Sequence, residues 1–316
     1  MFRRILLIGL ATLLLLGGGL AALGWRDYGA PGPLAAPAQL AVPRGGTEAI
    51  AALLAERQVI ASPWRFALAA WLTRHDGPLR AGEFVFPAQA SLRDVLGVLR
   101  EGRMVQRRLT IPEGLTARQV SALIDRAEGL TGETPTIAEG AILPETYGYA
   151  LGDTRASLVR RATAAMEAAL AEAWANRAEG LPLASPREVL VLASIVERET
   201  GVAAERAQVA SVFVNRLRRG MMLQSDPTVA YVAGQGLPME RPISRADLDA
   251  AHPFNTYRIR GLPPGPIAMP GREAIRAVTR PDTTDFLFFV ADGTGGHAFA
   301  RTLDEHNRNV ARWRNR

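Results

Sequence analysis

Two glutamates close together in the sequence are the residues best suited to do chemistry. Glu197 and Glu199 follow the apolar stretch 189–196 and would lie at the C-terminal end of a buried helix. A carboxylate there faces the negative end of the helix dipole and loses hydration, and both effects raise its pKa. A carboxyl group that stays protonated near neutral pH can act as a general acid. The alternative interpretation is a pair of solvated glutamates at the end of an amphipathic helix.

Helix-boundary signals frame this stretch. Ser185 is a typical N-cap residue, Pro186 suits the first helical turn, and Glu188 completes a Ser-x-x-Glu capping box. Gly201 predicts a left-handed stop at the C-terminal end. Because residues two apart on a helix point in different directions, the two glutamates cannot line one small site equally.

The composition of the 316-residue chain limits the possible chemistries. Its hydrophobic content of 48% is enough for two or more domains with cores of their own. The absence of cysteine excludes disulfides, thiolate catalysis and cysteine-based zinc sites. No two of the four histidines have the His-x-x-x-His spacing, so neither a catalytic metal nor another cofactor is expected. All 37 basic residues are arginines without long runs, so the net charge of +6 does not favour nucleic-acid binding.

The N-terminal segment predicts a membrane anchor. Arg3 and Arg4 lie in a short tip, residues 1–4, and the apolar run 5–25 is about 30 Å long as a helix at roughly 1.5 Å per residue. The arginines predict that the tip is cytoplasmic, that 5–25 is a transmembrane helix, and that the rest lies outside the cytoplasm. A cleaved signal peptide is the competing interpretation. Residues 26–39, rich in proline, glycine and alanine, are predicted to be a linker.

The remaining chain is predicted to fold as an α+β protein in two parts. Residues 40–105 show the order strand, helix, helix, strand, which resembles a LysM-like module that binds amino-sugar polymers; a plain spacer domain is the alternative. Residues 106–316 contain both glutamates and are predicted to form the larger, catalytic domain. The glycines at 293–296 indicate a hairpin turn and not a phosphate loop, because no Lys-Ser/Thr follows them.

Two loops carry polar side chains that could complete a site. Gln224, Ser225 and Asp226 lie in a stretch that Pro227 is expected to end, which indicates a cleft wall or, alternatively, an Asx turn. A second stretch, 252–257, has the sequence His-Pro-Phe-Asn-Thr-Tyr within a long irregular region. Ordered loops of this kind often carry function.

Several blocks of sequence occur in a fixed order along the chain. They are Ala-Ser-Ile-Val-Glu-Arg-Glu-Thr at 193–200, Val-Ala-Ser-Val-Phe-Val-Asn-Arg-Leu at 209–217, Leu-Gln-Ser-Asp-Pro-Thr-Val at 223–229, Phe-Asn-Thr-Tyr at 254–257, Gly-Leu-Pro-Pro-Gly-Pro-Ile at 261–267, Phe-Val-Ala-Asp-Gly at 289–293, His297-x-Phe299 and Glu305-His306-Asn307. Together they resemble the endolytic murein transglycosylase family, the YceG-like proteins of the bacterial inner membrane. One departure is Leu-Pro-Glu-Thr-Tyr at 143–147, where Phe-Pro-Asp-Thr-Tyr is expected; the acid and the tyrosine are kept.

The resemblance implies a lytic transglycosylase that cuts the β-1,4 bond between N-acetylmuramic acid and N-acetylglucosamine inside nascent peptidoglycan strands. The family's catalytic glutamate corresponds to Glu199, in a lysozyme-like helical site where the neighbouring Thr200 hydroxyl would orient the acid, and Glu197 is the fallback. The resemblance also implies a periplasmic bulk and peptidoglycan synthases (penicillin-binding proteins) as partners. The candidate substrate-binding residues are Glu197, Asn215, Gln224, Ser225, Asp226, Asn255, Thr256, Tyr257 and His297.

Other functions remain open at this point. With Asp226 as a second carboxylate, the protein would be a murein hydrolase, because an ordinary glycosidase needs two carboxyl groups. A non-catalytic, membrane-anchored glycan-binding scaffold would use the LysM-like module and need no acid. A binder of nucleic acid or anionic lipid would use the excess of arginine and show a steep salt dependence.

Overall fold

The structure, a computed structural model, describes residues 2–315, and within the first helix it describes the side chains of residues 9, 14–19 and 22–28. The chain divides into two compact units. The first unit extends to Arg107 and includes Ala150–Gly152, and the second contains Arg108–Tyr149 and the chain from Asp153 onward. The mixed α+β class expected from the sequence is confirmed, with each sheet in the described part having two strands.

The chain begins with a long helix, α1 (Phe2–Tyr28). The predicted cytoplasmic tip and much of the predicted membrane span, 5–25, lie outside the residues whose side chains are described. Among the residues that are described, no helix combines the length and the apolar character that crossing a membrane requires. The helix also extends three residues into the predicted linker, 26–39.

The rest of the first unit is a small α/β fold. Its elements are β1 (Ala38–Val42), α2 (Thr47–Glu56), α3 (Pro63–Leu72), β2 (Gly82–Phe86) and α4 (Leu92–Glu101). The two strands pair antiparallel, with Ala38 opposite Phe86. Their order with α2 and α3 is strand, helix, helix, strand. Helix α2 is capped by the Gly46 backbone and not by Thr47, which is its first helical residue.

The second unit is mainly helical. Its elements are β3 (Arg107–Thr110), α5 (Ala117–Asp125), β4 (Thr146–Tyr149), α6 (Arg155–Ala175), α7 (Pro186–Glu199), α8 (Arg206–Arg218), α9 (Asp226–Ala233), α10 (Arg245–Asp249), α11 (Arg272–Thr279), β5 (Phe288–Ala291), β6 (His297–Ala300) and α12 (Leu303–Arg314). Strands β3 and β4 pair with each other, and β5 and β6 form the predicted antiparallel hairpin. A short 3-10 helix, Ala203–Glu205, precedes α8.

Helix α7 lies at the centre of the second unit. Its residues from Val191 to Val196 are all buried, and α6, α8, α9 and α11 pack around it. This burial on all sides agrees with the apolar sequence of the helix. Helix α11, one of its main neighbours, was not predicted from the sequence. The central helix therefore fixes the position of whatever follows its last turn.

The loop expected to end at Pro227 is instead the start of a helix. Ser225 is the N-cap residue of α9, and Pro227 is the second residue of that helix. Proline is tolerated in the first helical turn, because the N–H groups there have no intrahelical acceptor. The expectation that the loop continues to Pro227 was therefore wrong, because only residues 221–225 are irregular.

Truncation of Leu192, which is fully buried on α7, should destabilise the second unit. Leu192→Ala removes buried methyl groups and leaves a cavity, so we expect a loss of about 2–5 kcal/mol in the free energy of unfolding. The matched control is Leu303→Ala on the exposed start of α12, which should change the same quantity by about 0.5 kcal/mol or less. Urea unfolding of both variants measures the difference, and equal losses would contradict the central role of α7.

Candidate active site

Glu199 is the last residue of α7. The helix begins as predicted, with the Ser185 hydroxyl accepting a hydrogen bond from the Glu188 N–H, but the Glu188 carboxylate accepts from the Ala184 N–H and no capping box forms. The predicted left-handed stop at Gly201 is wrong. Thr200 has an extended backbone that ends the helix one residue earlier, directly after the glutamate. The carboxylate thus lies at the negative end of a buried helix.

The electrostatic environment of Glu199 favours its protonated form. Burial raises the pKa of this carboxyl from its ordinary value of 4.5 to about 7. The hydrogen bond from Ser225 acts in the opposite direction, the negative charge of Asp226 raises the pKa further, and the positive charge of Arg216 lowers it. A carboxyl with such a pKa is partly protonated at neutral pH, so it can both give and take a proton there.

Ser225 holds the Glu199 carboxylate. Its buried hydroxyl donates a hydrogen bond to Glu199 Oε1 at 2.5 Å. The sequence suggested Thr200 for this role, but the Thr200 hydroxyl accepts a hydrogen bond from the Val202 N–H. The orienting hydroxyl therefore comes from the start of α9, 26 residues further along the chain.

Thr256 fixes the backbone around Ser225. The Thr256 hydroxyl accepts from the Ser225 N–H at 2.9 Å, and its carbonyl accepts from the Gln224 N–H at 3.1 Å. Thr228, on α9, contacts the Thr256 hydroxyl at 2.9 Å and donates to the Ser225 carbonyl at 2.7 Å. Thr256 and Thr228 are both fully buried. Ser225 is thus held on both sides by hydrogen bonds that do not involve Glu199.

Arg216 also holds this loop in place, and it was not predicted from the sequence. Its guanidinium donates to the carbonyls of Met222 and Leu223 and to the Gln224 side chain. Gln224 itself has a left-handed backbone with φ of 50°, which is uncommon for a residue other than glycine. A buried arginine between loop carbonyls gives no periodic sequence signal, although Arg216 does lie in the block 209–217. The positive charge of Arg216 is the one that lowers the pKa of Glu199.

Asp226 and Tyr257 form a second polar pair beside Ser225. The Tyr257 hydroxyl donates to Asp226 Oδ1 at 2.5 Å. Burial, together with the adjacent carboxylate, raises the pKa of Tyr257 above its ordinary value. Asp226 is exposed, so this pair lies on the solvent side of the loop. The structure thus connects Gln224, Ser225, Asp226, Thr256 and Tyr257, all predicted site residues, with Glu199 through hydrogen bonds and the chain itself.

Glu197 has a different environment although it is only two residues away. Its carboxylate accepts a hydrogen bond from the Gly271 N–H at 2.8 Å and lies 3.6 Å from the Arg206 guanidinium. Its side chain is 6% exposed. Burial raises its pKa, while the hydrogen bond and the arginine lower it. These contacts tie α7 to the start of α11 and to α8, which is a structural role.

Two asparagines predicted to bind sugar are engaged within the protein. The Asn215 amide donates to the carbonyls of Thr284 and Phe286. The Asn255 amide donates to three carbonyls around the end of α10, and its side-chain oxygen accepts from the Tyr257 N–H. Asn255 is 1% exposed. Both side chains fasten loops, and within the described residues neither is hydrogen-bonded to Glu199 or Ser225.

His297 lies at the β5–β6 hairpin and pairs with Glu205. Its Nδ1 is 2.8 Å from one Glu205 carboxylate oxygen, and its backbone N–H donates to the other. The ring packs edge-on against Phe289. Within the described residues, these contacts connect the hairpin to the 3-10 helix before α8 and not to the group around Glu199. No group of three or more acidic or histidine side chains with metal-binding geometry occurs among the residues described.

Comparison with known proteins identifies relatives of this chain. Residues 40–312 match the model of the YceG-like family. An endolytic murein transglycosylase from Bacillus subtilis is 37% identical over 175 residues, which are 54% of this chain and 46% of that protein. A protein of the same name from Streptococcus pneumoniae is 30% identical over 281 residues, covering 74% of this chain and 50% of the relative.

A solved structure shares the fold. The crystal structure at 2.6 Å of a YceG-like protein, lmo1499, from Listeria monocytogenes superposes with a TM-score of 0.53 and 27% sequence identity, over 86% of this chain and 98% of that one. This chain spans about half the length of the curated relatives that it matches. The resemblance drawn from the sequence blocks is confirmed: the chain belongs to the YceG-like family.

Proposed function

We propose that this protein is a lytic transglycosylase that cuts the bond between N-acetylmuramic acid and N-acetylglucosamine within peptidoglycan strands. The observation that carries the proposal is the single carboxyl of Glu199, with its pKa raised to about 7 and its Oε1 held by Ser225. The names of the relatives, endolytic murein transglycosylases, support murein as the substrate. No metal or other cofactor enters the proposed reaction.

In the first step Glu199 acts as a general acid. Its proton goes to the glycosidic oxygen, the bond from that oxygen to the anomeric carbon of N-acetylmuramic acid breaks, and the N-acetylglucosamine chain leaves with a new hydroxyl group. Positive charge develops at the anomeric carbon, next to a carboxylate that has just become negative. A general acid is most effective when its pKa lies near the working pH, which is the case for Glu199 at neutral pH.

In the second step the same carboxylate acts as a general base. It takes the proton of the muramic acid 6-hydroxyl, whose oxygen then bonds to the anomeric carbon and gives a 1,6-anhydro end. The glutamate regains its proton, and no water is consumed. Ser225 holds the carboxylate oxygen through both steps, since its hydroxyl is fixed by the Thr256 and Thr228 contacts. In this proposal Gln224, Asp226 and Tyr257 line the sugar-binding side of the loop.

Hydrolysis with Asp226 as a second carboxylate is the alternative chemistry, because Asp226 directly follows Ser225, the residue that holds Glu199. The Asp226 carboxylate, however, already accepts the Tyr257 hydroxyl, which restrains it from serving as a nucleophile or base. A hydrolase adds water to the cut bond, whereas a lytic transglycosylase does not. The mass of the products therefore separates the two.

We further propose that residues 5–25 anchor the protein in the bacterial inner membrane, with the tip in the cytoplasm and the bulk in the periplasm. The support is the apolar sequence that follows Arg3 and Arg4. In this arrangement the enzyme would meet nascent strands next to peptidoglycan synthases, and the LysM-like first unit would hold glycan without doing chemistry. A purified protein that binds glycan strands but never cleaves them would instead be a scaffold.

Glu199→Gln should abolish the release of anhydro-ended murein fragments while the fold is kept. The amide is nearly isosteric with the carboxyl but cannot transfer the proton, so we expect the rate to fall by about 10²–10⁴-fold. Mass spectrometry of murein digests measures the fragments, and circular dichroism checks the fold.

The matched control is Glu197→Gln, two residues earlier on the same helix. We expect it to retain measurable activity, because Glu197 contacts Arg206 and the Gly271 N–H within the protein. An inactive Glu197→Gln variant together with an active Glu199→Gln variant would show that Glu197 is the acid. Fragments that carry one added water instead of anhydro ends would establish hydrolysis.

Cleavage should depend on pH through the proton of Glu199. Because burial raises its pKa to about 7, kcat/KM should fall as the pH rises above about 7 and the acid ionises. Ser225→Ala removes a hydrogen bond that favours the ionised form, so the alkaline limb should move to higher pH and kcat should fall. Initial rates of murein cleavage from pH 5 to 9 give both profiles. An unshifted limb in Ser225→Ala would mean that this hydroxyl does not contact the acid.

The same carboxyl should reduce stability at alkaline pH. Folding favours the protonated form of Glu199, so its contribution is fully present below its unfolded pKa of about 4.5 and is lost as the pH rises through about 7. Relative to the parent, Glu199→Gln should gain about 1–3 kcal/mol of unfolding free energy between pH 5 and pH 8. Urea unfolding at the two pH values tests this, and a difference independent of pH would contradict the raised pKa.

A further inference from the structure

One face of α3 in the first unit is apolar and exposed. Trp64, Leu68, Trp71 and Leu72 recur at helical spacing on this face, and their exposed fractions are 66%, 46%, 60% and 57%. The opposite side of the helix supplies Phe66 and Ala70 to the core of the unit. A helix with two apolar faces, one buried and one open, needs a second partner for the open face.

The open face continues onto the end of α1. Leu23, Trp25 and Tyr28 of α1 line a cavity of about 650 Å³ together with Trp64, Leu68 and Leu72 of α3. An ion pair of 2.7 Å between Asp27 and Arg65 fixes α3 beside the last turns of α1. Tyr28 also packs against the core of the unit. The two helix segments therefore form one surface, which we call the α1–α3 face.

We propose that the α1–α3 face lies in the headgroup region of a lipid bilayer and docks the first unit onto the membrane. This inference rests on the proposed anchor at 5–25. It goes beyond that proposal because it gives the folded unit a fixed contact with lipid, where the anchor alone would leave the unit free to move on a linker.

The position of α3 relative to α1 makes lipid the expected occupant. Helix α1 is continuous to Tyr28, so no flexible segment separates the apolar run from the α1–α3 face. From residue 25 to residue 28 the helix rises only about 4.5 Å, at 1.5 Å per residue. The polar headgroup layer is about 5–8 Å thick on each side of the hydrocarbon core. If the span ends near Trp25, α3 is held at the depth of the headgroups.

The chemistry of the face also suits a bilayer interface. Tryptophan is enriched at the boundary between hydrocarbon and water, and arginine interacts with lipid phosphates there. Arg65 and Arg74 stack on the rings of Trp64 and Trp71, at 5.5 Å and 4.8 Å from the ring centres. The acidic Asp27 on this surface is neutralised by Arg65. Apolar rings flanked by guanidinium groups are typical of segments that lie in the plane of a membrane.

The absence of cysteine from the chain allows a direct test with single labels. Leu68→Cys and, separately, Trp71→Cys in the full-length protein would be labelled with an environment-sensitive fluorophore. The labelled proteins would be reconstituted into vesicles of phosphatidylethanolamine and phosphatidylglycerol, with and without brominated acyl chains. Leu15→Cys, on the exposed apolar side of α1, reports the anchor, and Val85→Cys, exposed at 50% on β2 outside the cavity lining, is the matched control.

We expect the fluorescence emission of the labels at positions 68 and 71 to shift to the blue in vesicles and to be quenched by acyl chains brominated near the headgroups. The emission of the label at position 85 should show neither change. A quenched label at Leu15 with unquenched labels on α3 would overturn docking and leave the anchor standing. If Leu15 is also unquenched, both the docking and the anchor are wrong. Labels on α3 that respond to protein concentration or to N-acetylglucosamine oligomers, but not to lipid, would likewise overturn the proposal.

Discussion

The candidate active site depends on one unfavourable placement, a carboxyl three residues beyond a helical stretch, Val191 to Val196, that is buried on every side. Partial loss of hydration disfavours the charge of Glu199 there and raises its pKa, and the helix dipole opposes the charge as well. The surrounding helices contribute to this effect, because α6, α8, α9 and α11 pack against α7 and bury its residues from Val191 to Val196, just before the glutamate. The core of the unit is thus also the source of the acid's proton affinity. Loosening the packing would lower the pKa toward that of an ordinary glutamate.

Two glutamates on the same helical turn illustrate how neighbours separate similar residues. Burial raises the pKa of both, so the direction of the shift does not distinguish them. Their partners do. Glu197 faces a guanidinium and a backbone N–H, which contact both of its carboxylate oxygens, whereas Glu199 receives one hydroxyl hydrogen bond and keeps the rest of its carboxyl uncommitted. A group whose hydrogen-bonding capacity is already filled stabilises the fold, and one with capacity left can meet a ligand.

Local signals in the sequence were sufficient for the body and the start of α7, since the Ser185 cap and the apolar run act within a few residues. The end of the helix was harder to predict: Gly201 suggested a left-handed stop, but Thr200 adopts an extended backbone and ends it first. The partnership of Ser225 with Glu199 joins residues 26 positions apart and depends on tertiary packing. Asn215, Asn255 and His297 were expected to bind substrate because they are polar residues within the sequence blocks that carry the family resemblance. Amide and imidazole groups suit loop fastening equally well, and composition does not separate the two roles.

The hydrogen bonds that hold Ser225 determine whether the protein or its ligand loses more conformational entropy on binding. Thr256 and Thr228 hold the loop in place without any contribution from a ligand, so little conformational entropy would remain to be lost on binding of the glycan strand that the proposed function requires. A rigid loop of this kind cannot adjust its position. A strand whose sugars are displaced from the required register is therefore not accommodated by a movement of the protein. Selection among strands would then depend on the conformational freedom of the polysaccharide itself. Stretched or crosslinked chains would lose less conformational entropy on binding than flexible ones.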